Sequence, residues 1–267
     1  MRGASEACAS RTVHEDTWPE TVVLDSAPFW ATSPTGHRVV FHVFVAYGYE
    51  QGKHDGRVLQ IVASTRHDAA SWRKVLSGKQ GQPKLLVSDK DAGLLAGALA
   101  AWPTVSWRRC HWHLHQNLDH QLAGYGIRNT PTHPLCALGR HAFSNPTNWT
   151  AFRTAVMAHG GVKLLAWVQT VEPDLVAEFR AGPLPRHYSN GAAERILNSV
   201  KDTIATRAFC YRNAERTNRM LELVRLRVNH LDAVENYAKD IRRYLEQGGA
   251  LHPQLQVKDR AGSPSLR

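Results

Sequence analysis

Apolar periodicity divides the chain into a strand-rich first part and a helix-rich second part. Residues 1–20 are polar and aperiodic and read as a flexible N-terminal arm. TVVLD (21–25) predicts a short buried strand ending in an acid, and PFWATSPTGH after it carries the Pro and Gly of a loop. VVFHVFVAYGY (39–49) and RVLQIVAS (57–64) are β-branched and aromatic, and the polar EQGKHDG between them predicts a hairpin. DAASWRKVL (68–76) predicts a short helix capped by Asp68. KLLVS (84–88) predicts another strand, AGLLAGALAAW a helix capped by Asp91, and TVSWRRC (104–110) a fifth strand.

From about residue 112 to 180 the strand signals fade. HWHLHQNLDHQL, NWTAFRTAVMAH and VKLLAWVQTVEPDLVAEFR predict helices, and GPLPRHY interrupts them with two prolines. Ser189 or Asn190 then caps a helix through AAERILNSVKDTIATRA. Ala193, Leu197, Val200 and Ile204 form its apolar stripe, with Glu194, Asn198 and Lys201 beside it, so Glu194 stands at the edge of the buried face. Leu221, Val224, Val228 and Leu231 repeat the helical spacing in a last helix, and the tail after Gly248 lacks periodicity. Together these elements predict an α/β fold, a mixed sheet with flanking helices, and no internal repeat.

Composition changes the picture in one respect. Apolar residues make up 43% and charged residues 21% of 267, a soluble globular balance. Lys and Arg number 33 against 23 Asp and Glu, a net charge of +10 and a pI near 9.7. That excess favours a polyanion, nucleic acid first, although many soluble proteins are modestly basic. The longest apolar segment, GLLAGALAAW, is too short to span a bilayer, so the expectation is a cytoplasmic protein with no membrane partner. Four scattered cysteines, Cys8, Cys110, Cys136 and Cys210, do not suggest a disulfide framework.

Two strands are expected to end in aspartate, at Asp25 and Asp89. Asp91, just before the helix, has the ordinary task of accepting hydrogen bonds from free N–H groups of the first turn. Asp89 lies where open α/β sheets place their ligands. If the two strands are neighbours their carboxylates converge, and a helix carrying Glu194 in its first turn can pack beside them. Three such carboxylates repel unless cations balance them, and all-oxygen sets suit Mg²⁺ or Mn²⁺. Taken singly, each acid is equally at home as a cap or a surface charge.

The run VVLDSAPFWATSP…FHVFVAYGYE, then KLLVSDKDAGLLAGALAAWP, RRCHWHLHQNL and SNGAAERILNSVKDTIATR, in that order over about residues 21–230, resembles bacterial insertion-sequence transposases of the Mutator-like DDE group. Its most specific parts are Asp89 with its helix, the Cys-x-x-His that follows, and the Asn-x-x-x-Glu-Arg opening of the late helix. The resemblance implies a ribonuclease H-like catalytic domain over 21–247, with a helical insertion at about 112–185 before the last catalytic acid and a flexible tail over 248–267. It implies Asp25, Asp89 and Glu194 as catalytic residues and ligands of two Mg²⁺ or Mn²⁺ ions. The implied activity is DNA strand cleavage and strand transfer, with transposon ends and target DNA as partners and a homo-oligomer formed on DNA. In that family a DNA-binding region precedes the first acid. Only 24 residues precede Asp25 here, so the expectation is a truncated copy or one half of a split element.

Cys110 and His113, with His133 and Cys136 at mirrored spacing, have the residue types of a zinc site. The resemblance instead makes Cys110 and His113 structural residues near the active site. His111 and His115 are expected on the surface. Lys201, Arg207 and Arg212, with Arg216 and Arg219, are candidate phosphate contacts; the competing reading is a solvated helical face balanced by Glu215 and Glu222. Trp30, in its expected loop near Asp25, is a candidate for stacking on an unpaired base. Two rival functions stay open: a ribonuclease H-like nuclease or resolvase, and a degenerate transposase fragment that binds DNA without activity.

Overall fold

The structure, a computed structural model, describes residues 17–32, 36, 38–51, 55–127, 130–183, 185–187, 189–206 and 214–229. Strands β1 (Thr21–Thr32), β2 (Arg38–Tyr49), β3 (Arg57–Ser64), β4 (Leu85–Ser88) and β5 (Ser106–Arg109) form one sheet in the order β3-β2-β1-β4-β5. The first three run antiparallel to their neighbours, while β4 and β5 add to β1 in parallel. The protein is therefore a mixed α/β fold.

Helices α1 (Ala69–Leu76) and α2 (Ala92–Ala101) cover one face of the sheet, and α7 (Gly191–Thr206) and α8 (Ala214–Val228) cover the other. Strand alternation sorts the side chains. Val22, Leu24, Phe44, Ala46 and Leu86 pack on Trp72, Leu94 and Trp102, whereas Val23, Val43, Val45 and Val87 pack on Ala193, Leu197, Val200 and Leu221. Trp18 is buried edge-on against Trp102, ring centres 4.8 Å apart, so residues 17–20, assigned above to the arm, belong to the fold.

Between β5 and α7 come α3 (His111–Ala123), α4 (Pro134–Gly139), α5 (Pro146–His159) and α6 (Val162–Arg180), which share a core of their own. Among the described residues this stretch holds no strand. Helix α6 is fastened to the sheet's C-terminal edge by polar groups. Arg108 Nη1 donates to the Glu178 carbonyl at 2.5 Å, Asp174 pairs with Arg109 and Lys90, and His111 Nε2 lies 3.0 Å from Glu178 Oε1. His111 is thus buried rather than on the surface. The pair it makes with Glu178, 67 residues away, is what takes it inside.

The expected loop at PFWATSPTGH is also corrected. β1 continues through Pro28 and Trp30 to Thr32 and pairs with β2 along its whole length. Beyond Val23 the ladder to β4 has ended, so this part of β1 is an edge, where a proline without an N–H is tolerated.

Close packing of α1 on α2 depends on Gly97. A Cβ there would lie 2.5 Å from Trp72 Cβ and 2.7 Å from the Ala69 carbonyl oxygen. Gly97→Ala is expected to destabilise the chain by about 1–3 kcal/mol through overpacking, despite alanine's better helix propensity. Urea unfolding measures this, and an unchanged or raised midpoint would contradict the packing read here.

Candidate active site

The β1–β4 register brings the first two acids together. Val23 pairs with Val87 in the parallel ladder. Two residues further along each strand stand Asp25 and Asp89, and a period of two keeps both on the face of Val23 and Val87. That face is the one α7 covers. Asp25 is consequently not at a strand end, as TVVLD suggested; it lies inside a twelve-residue strand, level with the point where β4 stops.

Asp89 and Asp91 have separate tasks. Asp91 Oδ1 accepts from the Leu94 N–H at 2.6 Å and caps α2. Asp89 is half-buried at the end of β4, and its Oδ1 accepts from the Asp91 N–H at 3.2 Å. Glu194 sits in the first turn of α7 beside Ala193 and Leu197, which are buried against the sheet. Its Oε1 accepts from Asn198 Nδ2 at 3.4 Å, and Asn198 Oδ1 accepts from Lys201 Nζ at 3.2 Å.

Asp25 is 5% exposed. Its Oδ1 accepts from the Ser26 N–H at 2.9 Å and its Oδ2 from Asn190 Nδ2 at 2.7 Å. Burial pushes its pKa up to about 8, with the Asp89 and Glu194 charges adding to the rise; the Ser26 N–H and Lys201 oppose it. Asp89, Glu194 and Lys201 therefore all lie within electrostatic reach of Asp25. His113 lies there too: burial lowers its pKa, and Asp89 and Glu194 pull it upward.

The Asp25 carboxyl, desolvated and repelled by two further acids, is a set of hard oxygen donors short of positive charge, which fits a hard divalent cation. Among the described residues, however, no three His, Cys, Asp or Glu side chains are drawn together closely enough to hold an ion.

Cys110 and His113 face this site through Asn190. Burial pushes the Cys110 thiol up to about 11, so it stays protonated, and it donates to Asn190 Oδ1 at 3.0 Å. His133 and Cys136 lie elsewhere. His133 caps α4, and Cys136, in the helical core, donates to the Ile127 carbonyl. The four candidate zinc residues are not brought together.

Of the other candidates, Lys201 lies near the acids, while Arg207 and Arg212 fall outside the described residues. Arg219 pairs with Glu215, and Glu222 pairs with Arg225. Trp30 is exposed on a strand rather than in a loop. It is five residues and roughly 17 Å along β1 from Asp25, and the odd offset turns it to the opposite face. Asn190 was missed as a site residue, although SNGAAER places it four residues before Glu194.

Residues 7–125 match the Mutator family of transposases. Over these residues the chain is similar to that family. The match holds Asp25, Asp89, Cys110 and His113 and ends before Asn190 and Glu194. The chain is similar to the transposase for insertion sequence element IS406 of Burkholderia multivorans, 31% identical over 172 residues, 60% of this chain and 42% of that protein. It is also similar to the transposase for insertion sequence element ISRM5 of Rhizobium meliloti, 24% identical over 243 residues, 82% of this chain and 55% of that protein. The chain thus spans about half the length of these two relatives. No helix among the described residues is long and apolar enough to cross a membrane.

Proposed function

We propose that this chain is the ribonuclease H-like catalytic core of a DDE insertion-sequence transposase. In this reading residues 21–247 form the catalytic domain, with α3–α6 as an insertion before the last acid. The observation that carries it is the parallel register of β1 and β4, which sets Asp25 beside Asp89 on the face where α7 presents Glu194. The family match over the first two acids supports the same assignment.

Asp25, Asp89 and Glu194 would hold Mg²⁺ or Mn²⁺. Two such ions, when bound, activate the attacking oxygen and stabilise the leaving oxygen of a phosphodiester. The chain's own residues then do the rest. Asp25, held by Ser26 and Asn190, would have to be deprotonated to serve as a ligand. Glu194, on a helix rooted in the sheet core, would be the third ligand. Lys201, about two helical turns further on, is placed to meet a backbone phosphate beside the scissile bond. Water attacks first and frees a 3′-hydroxyl on the element end; that hydroxyl then attacks target DNA, so no covalent protein–DNA intermediate forms.

The test is incubation with Mg²⁺, an element-end duplex and target DNA. Joined products support the transposase, cleavage without joining supports a nuclease, and unchanged DNA supports an inactive binding fragment. With a net charge of +10, duplex affinity should fall at least tenfold between about 50 and 200 mM salt through counterion release. Fluorescence anisotropy over that range measures it, and a flat response would remove electrostatics from the reading.

A further inference from the structure

We infer that Asn190 is the positioning residue of this site, hydrogen-bonded directly to Asp25 and to the backbone of Glu194 and, through Cys110, to the end of the strand that precedes Asp89. The inference rests on the assignment of Asp25, Asp89 and Glu194 proposed above. Asn190 is fully buried, and each of its polar groups is engaged. Its Nδ2 donates to Asp25 Oδ2 at 2.7 Å and approaches His113 Nδ1 at 3.3 Å. Its Oδ1 accepts from the Cys110 thiol at 3.0 Å, and its backbone N–H returns a bond to the same sulfur at 3.2 Å. Its carbonyl accepts from the Glu194 N–H at 2.9 Å. Cys110 in turn donates its backbone N–H to the carbonyl of Ser88, the residue before Asp89, at 2.7 Å.

Four segments far apart in sequence therefore meet at two residues. An asparagine at a helix N-cap ordinarily turns its side-chain oxygen to the N–H groups of the first turn. This one turns its oxygen to Cys110 and its amide N–H to Asp25. The amide is neutral, so it orients the carboxylate without cancelling its charge, whereas a lysine or arginine there would compete with a cation. Groups that orient a metal ligand in this way set affinity as well as geometry, and their loss costs about 10–100-fold.

The experiment is Mn²⁺ binding to the full chain, followed by electron paramagnetic resonance of the free ion, beside thermal unfolding without metal. Asn190→Ala and Asn190→Ser should each weaken Mn²⁺ binding about tenfold or more. Serine can bond the free N–H groups of the first turn where alanine cannot, so Asn190→Ser should lose less stability than Asn190→Ala while binding Mn²⁺ as weakly; affinity loss that does not follow stability loss separates positioning from a merely structural role. Cys110→Ser keeps a donor and should bind nearly as well as the unmodified chain. Cys110→Ala added to Asn190→Ala should cost nothing further, because Cys110 acts through Asn190. Asn190→Ser binding Mn²⁺ at full strength, while Asp25→Ala does not, would overturn the inference and leave the acids standing. Additive losses in the double variant would overturn the role of Cys110. Full binding by Asp25→Ala would remove the acid assignment and this inference with it.

Discussion

Alanine at Asp25, Asp89 or Glu194 is expected to lower Mg²⁺-dependent nicking of an element-end duplex by about a thousandfold or more. In the proposed reading each substitution removes part of a single coordination set, and a partial set cannot align nucleophile, phosphate and leaving group, so the three losses should be similar and far from additive. DNA binding should survive all three changes, since none removes a positive charge, and it can tighten where an acidic group near the phosphates is lost at Asp89 or Glu194. Asp91→Asn is the internal control. Asp91 caps α2 through the Leu94 N–H, and asparagine caps nearly as well, so nicking should change little. The assay uses this chain supplied with an end-binding region if it is inactive alone. An active preparation that keeps its rate after Glu194→Ala, or loses it through Asp91→Asn and not through Asp89→Ala, would show that other carboxylates do the work.

The second large effect is a pH dependence of stability that a divalent cation should abolish. The Asp25 pKa is raised from 3.8 to about 8, chiefly by burial. Because the folded value lies above the unfolded one, the folded state holds the proton more tightly. Its contribution is fully present below about pH 4 and is lost as the pH rises through 8. Between pH 5 and 8, without metal, the chain should lose about 2–4 kcal/mol relative to Asp25→Ala, which lacks the titrating group. Adding Mn²⁺ at pH 8 should restore much of the loss, because an ion bound only to the folded state stabilises it by mass action. Urea unfolding of both proteins at the two pH values gives the difference directly. Parallel pH profiles for the two would mean that Asp25 ionises freely in the folded chain, and its role as a buried ligand would have to be abandoned.

Several elements were legible because their causes are local. The hairpin of β2 and β3 shows in two β-branched runs around a polar turn. The Asp68 and Asp91 caps show in a short acid before a helical run. The buried stripe of α7 shows in Ala193, Leu197 and Val200, with Glu194, Asn198 and Lys201 forming the polar file beside it. The length of β1 was not legible. Pro28 reads locally as a breaker, and only pairing with β2, on an edge that β4 has left open, overrides it. His111 was misplaced for a similar reason, since a histidine goes inside only when a distant carboxylate meets it.

The sequence by itself determined the candidate carboxylates, the helix that carries Glu194 and the similarity to Mutator family transposases over residues 7–125, because side-chain chemistry, helical period and capping are written within a few residues of one another. Tertiary structure decided that β1 and β4 lie side by side in a register that sets Asp25 beside Asp89, since strand pairing is chosen by burial on both faces of a sheet and not by either strand alone. It also decided the place of Asn190, whose partners Asp25 and Cys110 are 165 and 80 residues away. A buried amide must find partners for all of its polar groups, and which residues can serve is known only once the chain has closed around it.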